Sequence, residues 1–180
     1  MATITTGLTI EDFEKLPDKL AHNRELVDGE LIDVSGNVFE HNGLRDLLVT
    51  ILRPFVSERR LGKIISEQEY DFDGNAHGPD VTFVGAAKLD LFQRKLRVQR
   101  FVPDLAIEIV SQYDTFTSLL KKAKRYRRCG TREVWLLSIE TREAMRYSGE
   151  QSVLLDENGE FSSEQIPGFS IRLGDLFDQI

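Results

Sequence analysis

Residues 102–128 read VPDLAIEIVSQYDTFTSLLKKAKRYRR, an apolar run interrupted by one acid that leads into a basic stretch. Leu105-Ala-Ile107 and Ile109-Val110 are rich in β-branched side chains, opened by Pro103 and closed by Ser111-Gln112, and they predict a buried strand. Glu108 sits in its middle. A carboxylate in such a run costs several kcal/mol of desolvation unless it is protonated, paired or bound to a cation, so it marks a candidate functional group. Alternation puts Asp104, Ala106, Glu108 and Val110 on one face and Leu105, Ile107 and Ile109 on the other. Asp104 and Glu108 would stand about 13 Å apart at ~3.3 Å per residue, too far to hold one metal ion together. A partner acid must come from another segment, and Asp104, following Pro103, reads as a turn residue at the strand edge.

Downstream, Asp114 or Thr115 can cap a helix running to about Cys129, with Gly130 as its stop. Leu119, Leu120, Ala123 and Tyr126 form its inner stripe. Lys122 lies three residues after Leu119 and four before Tyr126, so it faces inward, whereas Lys121, Lys124 and Arg125 point more outward. Upstream, Pro79-Asp80-Val-Thr-Phe-Val84 predicts a second short strand with an acid at its mouth. It follows a flexible Asp73–Gly78 segment whose His77 reads as a surface residue. Residues 63–72 alternate as one strand, with Ile65, Glu67 and Glu69 on one face. From about Val38 to Arg60, Leu44, Leu47, Leu48, Ile51, Leu52, Phe55 and Val56 follow the spacing of a long amphipathic helix that contains Pro54. Glu40 and His41 in its first turn lie near the inward stripe, either to reach into a site or simply to complement the helix N-terminus.

At the ends, Thr9-Ile-Glu-Asp12 has capping-box spacing for a short helix, and Asp28-Gly29 between apolar segments is a hairpin signal. Ser35-Gly-Asn37 breaks the chain. Residues 86–100 read as a charged loop with a helical turn. Glu133–Ile139 is a further apolar strand, turned by Glu140-Thr-Arg142 into Ala144–Tyr147 and extended by Gln151–Leu155 as an antiparallel edge. After a turn at Ile166-Pro-Gly168, Leu173–Ile180 predicts a short helix. Trp135, Tyr126 and Tyr147 read as core aromatics.

The chain of 180 residues is long enough for one domain with a real core. A net charge of −7 argues against a protein that coats itself in nucleic acid, but not against a metal-dependent nuclease, which gathers acids at its site and needs only a local basic rim. Two basic clusters offer one: Arg94, Lys95, Arg97 and Arg100, then Lys121, Lys122, Lys124, Arg125, Arg127 and Arg128. A run of like charges is more often simply a solvated face. Cys129, the single cysteine, excludes an intrachain disulfide and a cysteine-based zinc site, and reads as a small filler at a helix end. No run has membrane-spanning length and the N-terminus lacks a signal-peptide pattern, so a cytoplasmic location is expected.

Two carboxylates from neighbouring strands, Asp80 and Glu108, plus Lys122 from the next helix fit metal-assisted phosphodiester hydrolysis. The acids would hold Mg²⁺ or Mn²⁺, the carbonyl of Ile109 could complete the shell, and the lysine would offset charge near the attacking water.

Six segments carry a family likeness: Arg24-Glu-Leu-Val-Asp-Gly-Glu-Leu31, Gly78-Pro-Asp-Val81, Pro103-Asp-Leu-Ala-Ile-Glu-Ile-Val-Ser111, Lys122 with Tyr126, Gly130 to Trp135, and Ile166-Pro-Gly-Phe169. In this order they resemble the bacterial Uma-two family of restriction-endonuclease-like proteins, over about residues 10 to 178. The resemblance implies an α/β fold with the PD-(D/E)XK nuclease core: a mixed central sheet flanked by the long helix and the Lys122 helix, with an antiparallel C-terminal hairpin extension. It also implies Asp80 as the motif aspartate and Glu108 as its second acid. Val110 stands where that motif carries its lysine, and the resemblance implies that the lysine is supplied from the following helix, at Lys122. The helix acid or histidine of such sites matches Glu40 or His41.

The leading expectation is therefore a Mg²⁺-dependent endonuclease acting on DNA. The alternative is a catalytically inactive nuclease-fold module binding protein or nucleic acid, in which neutralising Arg94, Lys95 and Arg97 matters more than neutralising Glu108. A metal-dependent enzyme acting on another phosphoester is a third reading. Exposed edges, the apolar long helix and the two-strand cutting habit of related nucleases suggest a homodimer.

Overall fold

The computed structural model describes residues 7–34 and 38–180. Helix α1 (Ile10–Glu14) opens with the reciprocal cap its sequence predicts: the Asp12 N–H donates to Thr9 Oγ1, and the Thr9 N–H to Asp12 Oδ2. A short helix α2 (Asp18–Ala21), not foreseen, leads into the hairpin β1 (Arg24–Val27) and β2 (Glu30–Asp33). Asp28 and Gly29 turn this hairpin at φ 51° and 81°, the left-handed pair that a two-residue turn between twisted strands needs. The break expected at Ser35-Gly-Asn37 lies outside the described residues. Helix α3 (Phe39–Glu58) runs on through Pro54.

Next come β3 (Gly62–Ser66), β4 (Glu69–Asp71), β5 (Ala76–His77) and β6 (Val81–Gly85). A 3₁₀ segment over Ala86–Leu91 and β7 (Val98–Gln99) lead to the central strand β8 (Leu105–Val110). Helix α4 (Phe116–Arg128) is capped by Thr115, whose Oγ1 accepts the Ser118 N–H. The chain ends with β9 (Glu133–Ser138), β10 (Glu143–Ser148), β11 (Gln151–Leu155), β12 (Glu160–Ser163), β13 (Ile166–Arg172) and α5 (Leu173–Phe177).

The main sheet has the order β11-β10-β9-β8-β6-β3, with β8 and β9 parallel and the other pairs antiparallel. Parallel pairing needs a crossover, and α4 supplies it. A smaller sheet, β2-β1-β5-β4-β7, stands beside it, and β12 and β13 form the C-terminal hairpin. This is a mixed α/β molecule with sheets flanked by helices. Among the described residues no helix is long and apolar enough to cross a membrane.

Alternation along β8 separates two cores. Leu105, Ile107 and Ile109 pack with Leu44, Leu48, Leu52 and Val56 of α3, all buried. Each such leucine contributes about 1.5–3 kcal/mol over its exposed state. This stripe of α3 is thus covered within the chain. On the other side, Ala106 packs with Ala123 and Tyr126 of α4, and Glu108 faces the same helix.

Three local expectations are corrected. Residues 63–72 are two strands in different sheets, because Glu67 adopts a left-handed φ of 54° and turns the chain between β3 and β4. The segment Ile166-Pro-Gly168 is the start of β13 rather than a turn; the reversal falls at Glu164-Gln165, where the Gln165 N–H donates to Ser163 Oγ. His77 is buried, 3% exposed, because β5 pairs with both β1 and β4 and draws it inward.

Candidate active site

The register of the main sheet brings the two predicted acids together. Val81 of β6 lies opposite Ile107 of β8, so Asp80, one residue outside the pairing, falls beside the C-terminal half of β8. There Asp80 Oδ2 accepts the Ile109 N–H at 2.7 Å. The N–H and C=O of one strand residue point to the same side, so the Ile109 carbonyl faces the Asp80 side as well. Glu108, 6% exposed, projects from the opposite face of β8 to Ile109 and meets α4.

Lys122 and Tyr126, one helical turn apart on α4, both reach Glu108. Lys122 Nζ stands 3.2 Å from Glu108 Oε2, and Tyr126 Oη donates to Oε1 at 2.6 Å. Burial and the nearby carboxylates raise the Tyr126 pKa, which keeps the phenol a donor. Tyr126 is thus more than the core aromatic its sequence context suggests, although its ring does stack on Phe72 at 4.2 Å between centroids.

A third carboxylate, unforeseen from the sequence, completes the arrangement. Glu25 of β1 places Oε1 3.1 Å from Lys122 Nζ and Oε2 2.8 Å from His77 Nδ1, and also accepts the Gly78 N–H at 3.2 Å. Arg125, expected to point outward, turns in. Its guanidinium donates to Asn75 Oδ1 at 2.6 Å, to both oxygens of Asp28 at 2.8 and 3.0 Å, and reaches His77 Nε2 at 3.2 Å. A guanidinium only donates, so Nε2 is the acceptor and Nδ1 carries the proton that His77 gives to Glu25. Burial holds the His77 pKa below its usual value, in keeping with that neutral tautomer.

From α3, His41 brings Nε2 to 3.4 Å from Asp80 Oδ1, while its buried Nδ1 has no hydrogen-bond partner among the described residues. Burial disfavours the imidazolium, but Asp80 outweighs it and the His41 pKa is raised. Glu40 is exposed and does not join the cluster. Asp104 has a structural part at the far end of β8, where it accepts the Gly85 N–H and pairs with Lys88 at 2.8 Å each. In the first basic cluster, Arg97 is tied to Glu69 and Arg100 to Glu14, leaving Arg94 and Lys95 exposed.

Charge is unbalanced here. Glu25, Asp80 and Glu108 share Lys122 as their central cation. Burial opposes ionisation of Glu25, but Lys122 and His77 more than compensate and hold it at about 2. Burial pushes Glu108 up to about 8 despite Lys122, with the charges of Asp80 and Glu25 adding to the rise. Lys122 is desolvated too, yet the acids, Glu108 first, raise its pKa, so the ammonium persists.

Burial thus disfavours the Glu108 carboxylate, and an added cation beside it would offset that cost, which is the electrostatic condition a divalent metal fits. No group of three His, Cys, Asp or Glu side chains with metal-binding geometry occurs among the described residues. Magnesium does not demand one, since it is commonly held by one or two carboxylates with the rest of its shell from water and substrate phosphate. Asp80, Glu108 and the Ile109 carbonyl suit that donor set. They line a half-open cleft of about 740 Å³ walled by the β1-β2 hairpin, the exit of β8 and α4.

Comparison with known proteins gives two positive results. The sequence model of the Uma2 family, described as "Putative restriction endonuclease", matches residues 10–174. The structure is similar to a crystal structure described as "a putative nuclease belonging to DUF820" from Anabaena variabilis. The TM-score is 0.85 at 20% identity, covering 96% of this chain and 98% of that one, and the likeness establishes the restriction-endonuclease-like fold. No match was found among curated proteins.

Proposed function

We infer that this chain, which belongs to the Uma2 family, is a Mg²⁺- or Mn²⁺-dependent nuclease that hydrolyses phosphodiester bonds of DNA, working as a single restriction-endonuclease-like domain. The observation that carries this reading is geometric: the buried carboxylates Glu108 and Glu25 converge on the single ammonium of Lys122, with Asp80 held beside the same stretch of β8 by the Ile109 N–H.

Asp80, Glu108 and the Ile109 carbonyl would hold the metal, whose chemistry is to polarise the phosphate and lower the pKa of a bound water. The Ile109 N–H fixes the Asp80 carboxylate through Oδ2 and leaves Oδ1 toward His41. Tyr126 does the same for Glu108 through Oε1. Lys122 would take the role that Val110 cannot: its ammonium, held between Glu108 and Glu25, can orient the attacking water and offset charge building on the phosphate.

Calorimetric titration with Mg²⁺ and Mn²⁺ tests this directly. The wild type should bind and Glu108→Gln should not, with the fold intact by circular dichroism. A wild type that binds neither ion would favour the inactive-module reading. Neutralising Arg94 and Lys95 then probes the surface, whereas replacing Arg97 would also break its bonds to Glu69 and to the Ala21 carbonyl.

A further inference from the structure

We propose that nucleic acid enters this cleft as an unpaired strand, with a base stacked on Tyr113; this rests on the nuclease reading above. Three features of the cleft point there.

The first is its apolar mouth. Tyr113, at the exit of β8, is 66% exposed, and Ile32 and Val34 across the cleft are 44% and 36% exposed. Large apolar groups at the rim of an acidic cleft suit a ligand with flat apolar faces, which unpaired bases present and paired, stacked bases do not.

The second is the scarcity of free cations. Duplex binding draws on many phosphate contacts from Lys and Arg. Here Arg24 is paired with Asp33, Arg97 with Glu69, Arg125 with Asp28 and Lys122 with two glutamates. Among the described residues lining the cleft, Lys121 alone of the lysines and arginines has no acid partner. With so few phosphate contacts on offer, base stacking on an exposed aromatic, about 1–3 kcal/mol per base, must supply much of the affinity, and only unpaired bases can provide it.

The third is confinement. The Arg125–Asp28 ion pair ties α4 to the hairpin turn, so the two walls are braced together. The cavity, about 740 Å³, is in the range that encloses small ligands, and Glu108 lies buried within it. A phosphate reaches that depth more readily on a single flexible strand than on an intact duplex.

The test is fluorescence anisotropy of a short labelled single strand and of the duplex of the same sequence. It is run with Ca²⁺ in place of Mg²⁺, on wild type, Tyr113→Ala and Tyr113→Phe. The strand should bind at least about tenfold tighter than the duplex. Tyr113→Ala should lose roughly tenfold, the scale of one base–aromatic stack, and Tyr113→Phe should retain most of the affinity. With one or two phosphates contacted, log K should fall with log salt at a slope of only about −1.

Equal or tighter duplex binding, an unaffected Tyr113→Ala, or no binding of either probe would overturn the proposal. The nuclease reading is separable from it. Metal-dependent cutting confined to duplex would keep that reading and end this proposal, whereas tight strand binding without metal-dependent cutting would do the reverse.

Discussion

Replacing Tyr126 with Phe removes one hydroxyl from the centre of the site and little else. The ring stays stacked on Phe72, and the lost contact is the 2.6 Å hydrogen bond to Glu108 Oε1. A hydrogen bond to an ionised group contributes about 1.5–3 kcal/mol, and fewer when its acceptor is protonated, so about 1–2 kcal/mol of stability should go near neutral pH. In a chain of this size that lowers the melting temperature by roughly 2–8 °C. The hydroxyl also lowers the Glu108 pKa, so the variant's pKa should rise above about 8. Metal must then displace a more tightly held proton, and affinity should fall about tenfold at pH ~7, the lower end of what lost outer-shell partners cost. Because the deficit is a protonation effect, it should shrink as pH rises through the variant's pKa. Calorimetric Mg²⁺ titration at several pH values checks it. Wild-type affinity with an unchanged melting temperature would refute the claim that Tyr126 tunes Glu108, and a deficit constant with pH would refute the protonation mechanism.

Three further predictions follow from separate parts of the molecule. In Glu25→Gln, Lys122 loses one of its two carboxylates and His77 its acceptor. Since Glu25 is held at about 2, its ionisation stabilises the fold above pH ~4.5 and this contribution fades as pH falls toward 2; the variant should lose that acid-side dependence in melting curves. Glu133, buried and accepting from Trp135 Nε1 and Ser163 Oγ at 2.7 Å each, has a pKa raised first by burial. The unfolded chain therefore releases this proton at lower pH than the folded one, and stability falls as pH rises above the usual carboxylate range; Glu133→Gln should flatten that decline. Leu52→Ala on the buried stripe of α3 should cost about 2–5 kcal/mol in denaturant unfolding, without changing metal affinity.

What the sequence made legible follows from locality. Glu108 stands out because a charge in a β-branched run has few structural excuses, and Lys122 because an i, i+4 relation to Tyr126 aims both at one place. The cap at Thr9 and the turn at Asp28-Gly29 are read from adjacent residues and form as expected. The failures are long-range. Nothing near Glu25 reveals that β1 will pair with β5 and carry its carboxylate to a helix nearly a hundred residues away. Arg125 lies off the inner stripe by helical arithmetic, yet its long side chain bends to the hairpin turn. His77 follows a glycine-rich loop, and only pairing of a two-residue strand on both edges buries it. The split of residues 63–72 hinges on one left-handed residue, Glu67, whose type gives no warning.

The central claim is metal-dependent phosphodiester hydrolysis by the Asp80–Glu108–Lys122 cluster. The most direct measurement is cleavage of plasmid and single-stranded DNA with Mg²⁺ or Mn²⁺, comparing the wild type with Glu108→Gln. Cutting that needs the metal and disappears in the variant is the predicted result. Cutting that survives in Glu108→Gln, or a wild type that binds metal and DNA but cleaves neither substrate, would contradict it.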